Sequence, residues 1–369
     1  MPGKVLVVDD SALMRRLLTG VLKDAGFDVV VARNGLEGVQ QLTEHQPDVV
    51  TLDINMPEMD GLTALSLMMQ ARPTPVVMVS SLTEKGAVAT FEALALGAVD
   101  FIAKPGGTIS LTVDDISEQL VAKVKAAARA RIGAAAARRP AATPAPSPRP
   151  ASGPATRATA TPSAALQRLT EGVKPRAGKV SGLVIIGVST GGPRTLEDIL
   201  PALPAHFPWP VLVAQHMPPN FTAAFAQRMD ALCRLNVREC HATMPIEAGH
   251  VYIGKGGTDM VVVERLGRLA VQPKPETPGH PWHPSVDVLV QSAMSHVPAE
   301  HIVGVQLTGM GDDGARAMAE LKLQGGRTIA ESQETAVVFG MPQELIERGG
   351  ASVVLPCGDV TRQLCHWIR

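Results

Sequence analysis

The sequence predicts an α/β protein made of two doubly wound, mostly parallel sheet domains, and three observations support this prediction. Short apolar runs alternate with segments of helical spacing through about the first 120 residues. The same alternation resumes near Lys179 and continues along the rest of the sequence. Between them lies a stretch dominated by Ala, Pro, Arg, Ser and Thr, which cannot bury enough apolar surface to fold. We therefore expect one domain at 4–121, a flexible Pro/Ala-rich linker at 122–178 and a second domain at 179–369.

The bulk composition agrees with two globular domains and excludes several classes of protein. A chain of 369 residues with 45% apolar residues can bury two cores of ordinary size. A formal net charge of −1 argues against nucleic acid as the main partner. No run of about 18 apolar residues occurs, and the opening segment MPGKVLVVDD is typical of a strand rather than a signal peptide. We therefore expect a cytoplasmic protein without membrane insertion, whose four cysteines are reduced thiols.

In the first domain, apolar runs predict five strands, and apolar positions three or four residues apart predict a helix after each strand. The strands are expected at 4–8, 28–32, 49–53, 76–80 and 99–102. The helices are expected at 13–25, 36–44, 61–71, 86–96 and 116–130. Because strands that alternate with helices form parallel sheets, the carboxyl ends of all five strands should lie at one edge.

In the second domain, the same reasoning predicts another mostly parallel sheet, with a β-rich insertion near its middle. The strands of the sheet are expected at 183–188, 211–215, 302–307, 327–330 and 352–355. Shorter strands of the insertion are expected at 250–253, 259–264 and 269–272. The helices are expected at 193–200, 221–232, 286–295 and 315–324.

Polar side chains follow four strands of the first domain, at the point where each strand ends. Asp10 follows the first strand, Asp53 ends the third, Ser80 ends the fourth and Lys104 follows the fifth. Clustered carboxylates favour a hard cation such as Mg²⁺, to which Asn55 can offer its backbone carbonyl. Asp53 could then attack a phosphoryl group, with Lys104 and the metal offsetting the charge on its oxygens.

This domain resembles the receiver domain of two-component response regulators over roughly 4–121, in four segments that occur in order: VLVVDDS, LDINMPEMDG, VVMVSS and DFIAKP. The resemblance implies a flavodoxin-like fold and Mg²⁺-dependent phosphorylation of Asp53 by a histidine kinase of the chemotaxis type. It implies metal binding by Asp10 and Asp53, with Asp9 as a further candidate. The switch residues that it implies are Ser80, Lys104 and the aromatic Phe101.

A second set of reactive residues lies in the second domain. Ser189 stands between the apolar run LVIIGV and a helix expected to begin near Pro193, where free N–H groups could bind an oxyanion. The pattern GxSxG at 187–191 is weak evidence by itself. His216 closes one strand and Asp313 follows another, so all three side chains should share the carboxyl edge of one sheet.

Together, these three residues predict a serine nucleophile with a general base and an orienting carboxylate. Ser189 would attack, His216 would take its proton, and Asp313 would orient the imidazole. The backbone N–H groups of Thr190 and Met310 are candidates for the oxyanion hole. A helix-capping role is the simpler explanation for an aspartate at position 312 or 313.

The second domain resembles the methylesterase domain of CheB proteins over about 180–369, in five segments: VIIGVSTGGP, AQHMPPNF, PWHPSVDVL, LTGMGDDGA and FGMPQEL. The resemblance implies a Rossmann-like domain whose triad is Ser189, His216 and Asp313, and it favours Asp313 over Asp312. It implies a phosphorylation-activated enzyme without a cofactor for the esterase reaction. The implied substrates are glutamate γ-methyl esters on methyl-accepting chemoreceptors, and some members also deamidate glutamines.

Two other classes of protein remain open. The second domain could be an idle binding module in a phosphorylation-dependent signalling adaptor. Alternatively, the receiver could control transcription, but no helix-turn-helix or basic face is evident after residue 180. For the hydrolase, we expect the unphosphorylated receiver to cover the Ser189 edge and phosphorylation to favour an open arrangement.

Overall fold

The computed structural model describes residues 3–81, 83–104, 113–130 and 180–368. These residues form two α/β units with separate parallel sheets. Most of the linker predicted at 122–178 lies outside the described residues, as does Pro105 of the DFIAKP segment. Within the described part of the chain, no helix has the length and apolar character needed to cross a membrane.

The first sheet is parallel throughout, as its helical connections require. Its strands are β1 (Lys4–Val8), β2 (Asp28–Ala32), β3 (Val49–Asp53), β4 (Val76–Ser80) and β5 (Asp100–Ala103). Its helices are α1 (Ala12–Asp24), α2 (Gly35–His45), α3 (Gly61–Ala71), α4 (Glu84–Leu96) and α5 (Val113–Ala128). The order β2-β1-β3-β4-β5 places β3 at the centre, so Asp53 ends the central strand.

The sequence explains where these elements begin and what they bury. Ser11, Asn34, Asp60 and Thr83 each accept a hydrogen bond from the backbone amide three residues further on, which starts the first four helices. Every residue of β3 and β4 is buried, because helices cover both faces of a parallel sheet. Asp53 and Ser80, the last residues of these two strands, lie at the carboxyl edge of the sheet.

The second sheet has seven strands in the order β15-β14-β13-β6-β7-β10-β8, and all its pairings are parallel. They are β6 (Leu183–Val188), β7 (Val211–Gln215), β8 (Asn236–Cys240), β10 (His250–Gly254), β13 (Ile302–Gln306), β14 (Arg327–Glu331) and β15 (Val353–Leu355). The helices around it are α6 (Gly192–Ile199), α7 (Pro219–Leu232), α8 (Val286–Met294), α9 (Ala315–Leu323), α10 (Met341–Glu347) and α11 (Cys357–Trp367).

The β-rich insertion is an antiparallel sheet of β11 (Asp259–Arg265), β12 (Arg268–Lys274) and the short β9 (Met244–Pro245). The strand expected at 250–253 does not belong to it. That segment is β10, which is buried at every position between β7 and β8 of the main sheet. The sequence analysis did not predict β8, because only two of its five residues, Val237 and Cys240, are apolar and they are not adjacent.

The two units meet through an aromatic contact of α4 and β5 with α7. The ring of Phe221 lies 4.4 Å from that of Phe101 and 6.5 Å from that of Phe91, measured between centroids. The ring of Phe225 lies 5.5 Å from that of Phe91. Four of the seven phenylalanines of the chain thus gather at this contact. Since α7 begins three residues after His216, the contact leads directly toward the second site.

Candidate active site and phosphoacceptor site

The first site lies at the carboxyl edge of the first sheet and contains three carboxylates. Asp9 and Asp53 are buried, Asp10 is exposed, and one carboxylate oxygen of each lies within 4.8 Å of the others. The ammonium Nζ of Lys104 lies 2.7 Å from Asp53 Oδ2 and 3.0 Å from Asp9 Oδ2. The Arg15 guanidinium donates to the backbone carbonyls of Asp9 and Asp10. Three clustered carboxylates beside these two cations still leave excess negative charge, so this donor set fits a hard divalent ion.

The electrostatics of Asp53 reflect this crowding. Burial raises the pKa of Asp53, and Lys104 offsets the shift only in part because Asp9 adds like charge. The pKa of Lys104 is also raised, because its bonds to Asp53 and Asp9 outweigh the cost of burying the ammonium. The amide of Asn55 donates to Asp53 Oδ1 at 3.4 Å, and metal binding by the Asn55 carbonyl stays a prediction. The Asp53 carboxylate thus accepts few hydrogen bonds, so its oxygens are available for new partners.

The predicted switch residues lie beside this site. Ser80 is fully buried, and its Oγ donates to the Gly86 carbonyl and accepts from Thr90 Oγ1 at 2.8 Å. Phe101 is buried as well, with its ring against Phe221 of the second unit. Their proposed roles in switching are not tested by this geometry.

Ser189 occupies a tight loop between β6 and α6. Its amide donates to the Thr308 carbonyl at 2.9 Å, which ties the loop to the end of β13. Gly191 caps α6 with φ of +81°, a conformation that favours glycine. A Cβ on Gly309 would lie 2.8 Å from Cβ of Ser189, so this neighbour must also be small. Ser189 is therefore held at the carboxyl edge, at the N-terminus of a helix.

His216 and Asp313 form a hydrogen-bonded pair at the same edge. The distance from His216 Nε2 to Asp313 Oδ2 is 2.8 Å. The amide of His216 donates to the Val188 carbonyl, so His216 lies across from the residue that precedes Ser189. Its other ring nitrogen, Nδ1, is buried and has no hydrogen-bond partner within the described part of the chain. Trp282 stacks on the imidazole, with 5.3 Å between centroids and 10° between planes.

The carboxylate of Asp313 is enclosed by the N-terminus of α8. It accepts hydrogen bonds from Val286 N at 2.7 Å, Ser285 Oγ at 2.9 Å and Asp287 N at 3.1 Å. Burial opposes ionisation, but the bonds from His216 and from the amides of α8 outweigh it and lower the pKa of Asp313. An anion at a helix N-terminus is further favoured by the helix dipole. Asp313 is therefore held as a fixed negative charge against the imidazole.

The oxyanion candidates lie on either side of Ser189. Neither the Thr190 nor the Met310 amide donates a hydrogen bond within the described ranges. The Thr190 carbonyl accepts from Thr308 Oγ1 at 2.8 Å, and the Thr308 amide donates to Glu331 Oε2 at 2.8 Å. Glu331 is fully buried, and burial raises its pKa to about 7. This chain of contacts fixes the loop while leaving the two candidate amides free.

The structure brings each predicted set of residues to one sheet edge, although their chemical roles stay predictions. Asp312 lies outside the second set, because its exposed side chain pairs with Arg348. The sequence analysis missed Ser285 and Glu331, which are far from the triad residues in sequence. Ser285 donates to Asp313, and Glu331 accepts from the Thr308 amide beside the Ser189 loop. Trp282 and Ser285 lie within the segment PWHPSVDVL, but the sequence analysis assigned neither of them a role. No periodic signal singles out any of these residues.

Comparison with protein-family models identifies the class of protein to which each half of the chain belongs. Residues 5–113 match the family model of the response regulator receiver domain. Residues 184–364 match the model of the CheB methylesterase. The chain is thus a response regulator whose second domain is of the methylesterase type.

Full-length relatives extend this result. A protein-glutamate methylesterase/protein-glutamine glutaminase of Rhodospirillum rubrum is 55% identical over 99% of this chain and 96% of the relative. One of Rhodopseudomonas palustris is 49% identical over 99% of this chain and 98% of the relative. The crystal structure of the Thermotoga maritima CheB methylesterase catalytic domain is 38% identical, with a TM-score of 0.49, over 51% of this chain and 99% of that chain. The chain belongs to the CheB methylesterase family.

Proposed function

We propose that this chain hydrolyses γ-methyl esters of glutamate side chains on chemoreceptors, deamidates glutamines at the same site, and is activated by phosphorylation of Asp53. The observation that carries the proposal is the His216–Asp313 pair beside Ser189. Full-length relatives that carry both activities in their names support the choice of substrate. We place the activity in chemotaxis adaptation, in the cytoplasm.

Ester hydrolysis follows from the roles of three side chains. Ser189 Oγ forms a bond to the ester carbon while its proton passes to His216 Nδ1, since Nε2 is engaged by Asp313. The amides of Thr190 and Met310 would stabilise the developing oxyanion. The imidazolium then protonates the departing methoxide, and methanol leaves an acyl-enzyme. Water, deprotonated by the same imidazole, releases the glutamate and regenerates Ser189.

Deamidation uses the same steps with a different leaving group. A glutamine side chain has the shape of the methyl ester, and the imidazolium would protonate the departing amine so that ammonia leaves. The fixed charge of Asp313 supports both reactions, because each one makes an imidazolium. No additional group is required by this scheme.

Phosphorylation of the first domain would use Asp53 as the acceptor and a histidine kinase as the donor. The carboxylates of Asp10 and Asp53 and the Asn55 carbonyl would hold Mg²⁺, with Asp9 as a further ligand. A bound Mg²⁺ supplies positive charge to the phosphoryl oxygens. Lys104 lies 2.7 Å from Asp53 and can pair with the new phosphoryl group.

The contact between the two units supports gating. A cavity of ≈ 1090 Å³ lies between α1, α5 and the segment 337–340, and Met310 lines it. The first unit therefore flanks the proposed oxyanion hole. If phosphorylation favours an arrangement in which this edge is open, about 100-fold activation requires about 2.7 kcal/mol of preference. Deletion of residues 1–178 should then raise basal activity, and a fragment no faster than the unphosphorylated chain would refute gating.

The decisive experiment measures methanol release from methylated receptor membranes, with and without a small phosphodonor. We expect turnover that rises with the phosphodonor and is lost in Ser189→Ala. A signalling adaptor would instead keep its output in Ser189→Ala and release no methanol. Folding of the variant is checked by its thermal unfolding, which should match that of the unmodified chain.

A further inference from the structure

Two buried glutamines lie at the ends of the strands on either side of Ser189. Gln215 is the last residue of β7, Gln306 is the last residue of β13, and both strands pair with β6. Their exposed fractions are 2% and 0%. A buried primary amide is costly unless its polar atoms are used, so the position of each amide calls for an explanation.

The amide of Gln215 joins two members of the proposed triad. Its Nε2 donates to the Ser189 carbonyl at 3.0 Å and to the His216 carbonyl at 3.1 Å. Both N–H groups of one amide are thus used on the backbone of the nucleophile and of the base. Strand pairing ends at these residues, and the Ser189 carbonyl also accepts from the Gly192 amide at 2.8 Å.

The side-chain amide of Gln306 bonds the backbone of Asp313, the third residue of the proposed triad. Its Nε2 donates to the Asp313 carbonyl at 2.7 Å. The orientation of both amides is determined by chemistry, because a carbonyl only accepts and a flipped amide would face it with another acceptor. Each carbonyl of the three triad residues is therefore held by a glutamine side chain.

Each of these glutamines also buries a side-chain oxygen that has no hydrogen-bond partner among the described residues, which lowers the stability of the fold. Oε1 of Gln215 and Oε1 of Gln306 are buried without a hydrogen-bond partner in the described part of the chain. Each needs a nearby glycine, since a Cβ on Gly192 would lie 2.1 Å from Gln215 Oε1 and one on Gly314 would lie 2.8 Å from Gln306 Oε1. A methionine of similar shape would remove the unpaired oxygen, but it would also remove the donors to the triad carbonyls. Packing alone therefore does not account for these residues.

We propose that Gln215 and Gln306 are positioning residues of the hydrolysis, which hold the backbones of Ser189, His216 and Asp313 in the alignment needed for proton transfer. The inference rests on the proposed function. Neither glutamine touches the substrate. Because a shift of about 1 Å in a reacting group can cost about 100-fold in rate, loss of the amide should lower kcat more than it changes KM.

The test compares Gln215→Met with Gln215→Glu in the full-length chain. Gln215→Met keeps the shape and removes both donors, so we expect kcat per folded molecule to fall about 30- to 100-fold and KM to change less than threefold. The melting temperature should fall by a few degrees, because the Ser189 and His216 carbonyls each lose a donor. Gln215→Glu can donate only while its carboxyl is protonated. Its rate relative to the unmodified chain should fall about tenfold as pH rises through the titration of that carboxyl.

The matched control is Gln272→Met, a half-buried glutamine of β12 that bonds Arg265 outside the site. It should change kcat less than twofold. Two results would overturn the inference: a kcat of Gln215→Met, per folded molecule, within threefold of the unmodified chain, or a pH-independent ratio for Gln215→Glu.

A second readout separates this inference from the proposed function. A fluorophosphonate probe reacts with an activated serine as Ser189 Oγ forms the phosphorus–oxygen bond, fluoride leaves and the proton passes to His216. If the chain releases no methanol but is labelled, the substrate proposal fails and the labelling rates of the variants still test the glutamines. Slower labelling of Gln215→Met and Gln306→Met supports their positioning role. Unchanged labelling, or absence of labelling in every form of the chain, overturns it.

Discussion

Asp53 and Asp313 are carboxylates in equivalent places with opposite acid strengths. Each lies at the carboxyl edge of a parallel sheet beside one basic side chain, Lys104 or His216. Their exposed fractions are only 2% and 7%. Nevertheless the pKa of Asp53 is raised and the pKa of Asp313 is lowered. Similar burial therefore does not by itself fix the direction of the pKa shift.

The difference lies in the number of donors. Asp313 accepts from the imidazole, a hydroxyl and two amides of α8. Asp53 has Lys104, which it shares with Asp9, and one long bond from Asn55. A carboxylate that must orient a neighbour has its lone pairs occupied, whereas one that must accept a phosphoryl group keeps oxygens available. This contrast gives four predictions, in order of decreasing effect.

The largest effect is expected for Asp313→Asn. The amide keeps the shape but removes the charge that stabilises the imidazolium, so kcat for methanol release should fall about 10⁴-fold. Asp312→Asn is the matched control, because the exposed side chain of Asp312 pairs with Arg348 away from the triad, and it should retain kcat within about twofold. A kcat of Asp313→Asn within tenfold of the unmodified chain would remove Asp313 from the triad.

Asp53→Asn should abolish stimulation and spare basal turnover. Without the acceptor carboxylate, a small phosphodonor should no longer raise the rate, a loss of about 100-fold at saturating donor. Basal methanol release should stay within about threefold. Asp60→Asn, at the cap of α3, should keep full stimulation, because asparagine is an equally good cap. Stimulation that persists in Asp53→Asn would place phosphorylation elsewhere.

Third, we expect the contributions of Asp53 and Asp313 to the stability of the fold to depend on pH in opposite ways. The raised pKa of Asp53 means that its contribution to folding is present below 3.8 and is lost as pH rises through the folded-state pKa. The lowered pKa of Asp313 means that its contribution is present above 3.8 and is lost as pH falls through its folded-state pKa. At pH 7 without divalent ions, Asp53→Asn should therefore stabilise and Asp313→Asn destabilise the chain.

Urea unfolding followed at pH 7 and at pH 3 measures this difference. The two variants should approach the unmodified chain at the lower pH, where both carboxyls are largely protonated in the unfolded state. Shifts of the same sign at pH 7 would contradict the assignment of opposite acidities. Because the chain has two units, each transition is fitted separately.

The smallest effect is expected for Ser285→Ala, which removes one of the donors to Asp313. The loss of about 1 kcal/mol should lower kcat about three- to tenfold. Ser295→Ala is the control, since this serine lies at the opposite end of α8 and bonds only the Gln291 carbonyl through its Oγ among the described groups. Equal kcat values for the two variants would show that the donor count around Asp313 does not matter.

Local patterns of the sequence were sufficient for much of the fold and for the candidate residues. The first sheet has the expected strands, and the alternation of strands with helices places Asp53 and Ser80 at one edge. The same reasoning places Ser189 and His216 at the ends of β6 and β7, which pair in parallel. These successes share a cause, because the direction of parallel strands dictates which ends meet. The strand β8, with its weak apolar signal, was missed.

By itself, the sequence determined which residue types stand at the strand ends, because apolar periodicity and turn residues are local properties of the chain. Only the tertiary structure decided what surrounds them. Ser285 reaches Asp313 across 28 positions of sequence, and Gln215 reaches Ser189 across 26. Hydrogen bonds of this kind depend on which strands become neighbours and on how deeply a side chain is buried. They set the acidity and alignment of the reactive groups, and no short segment of the sequence encodes them.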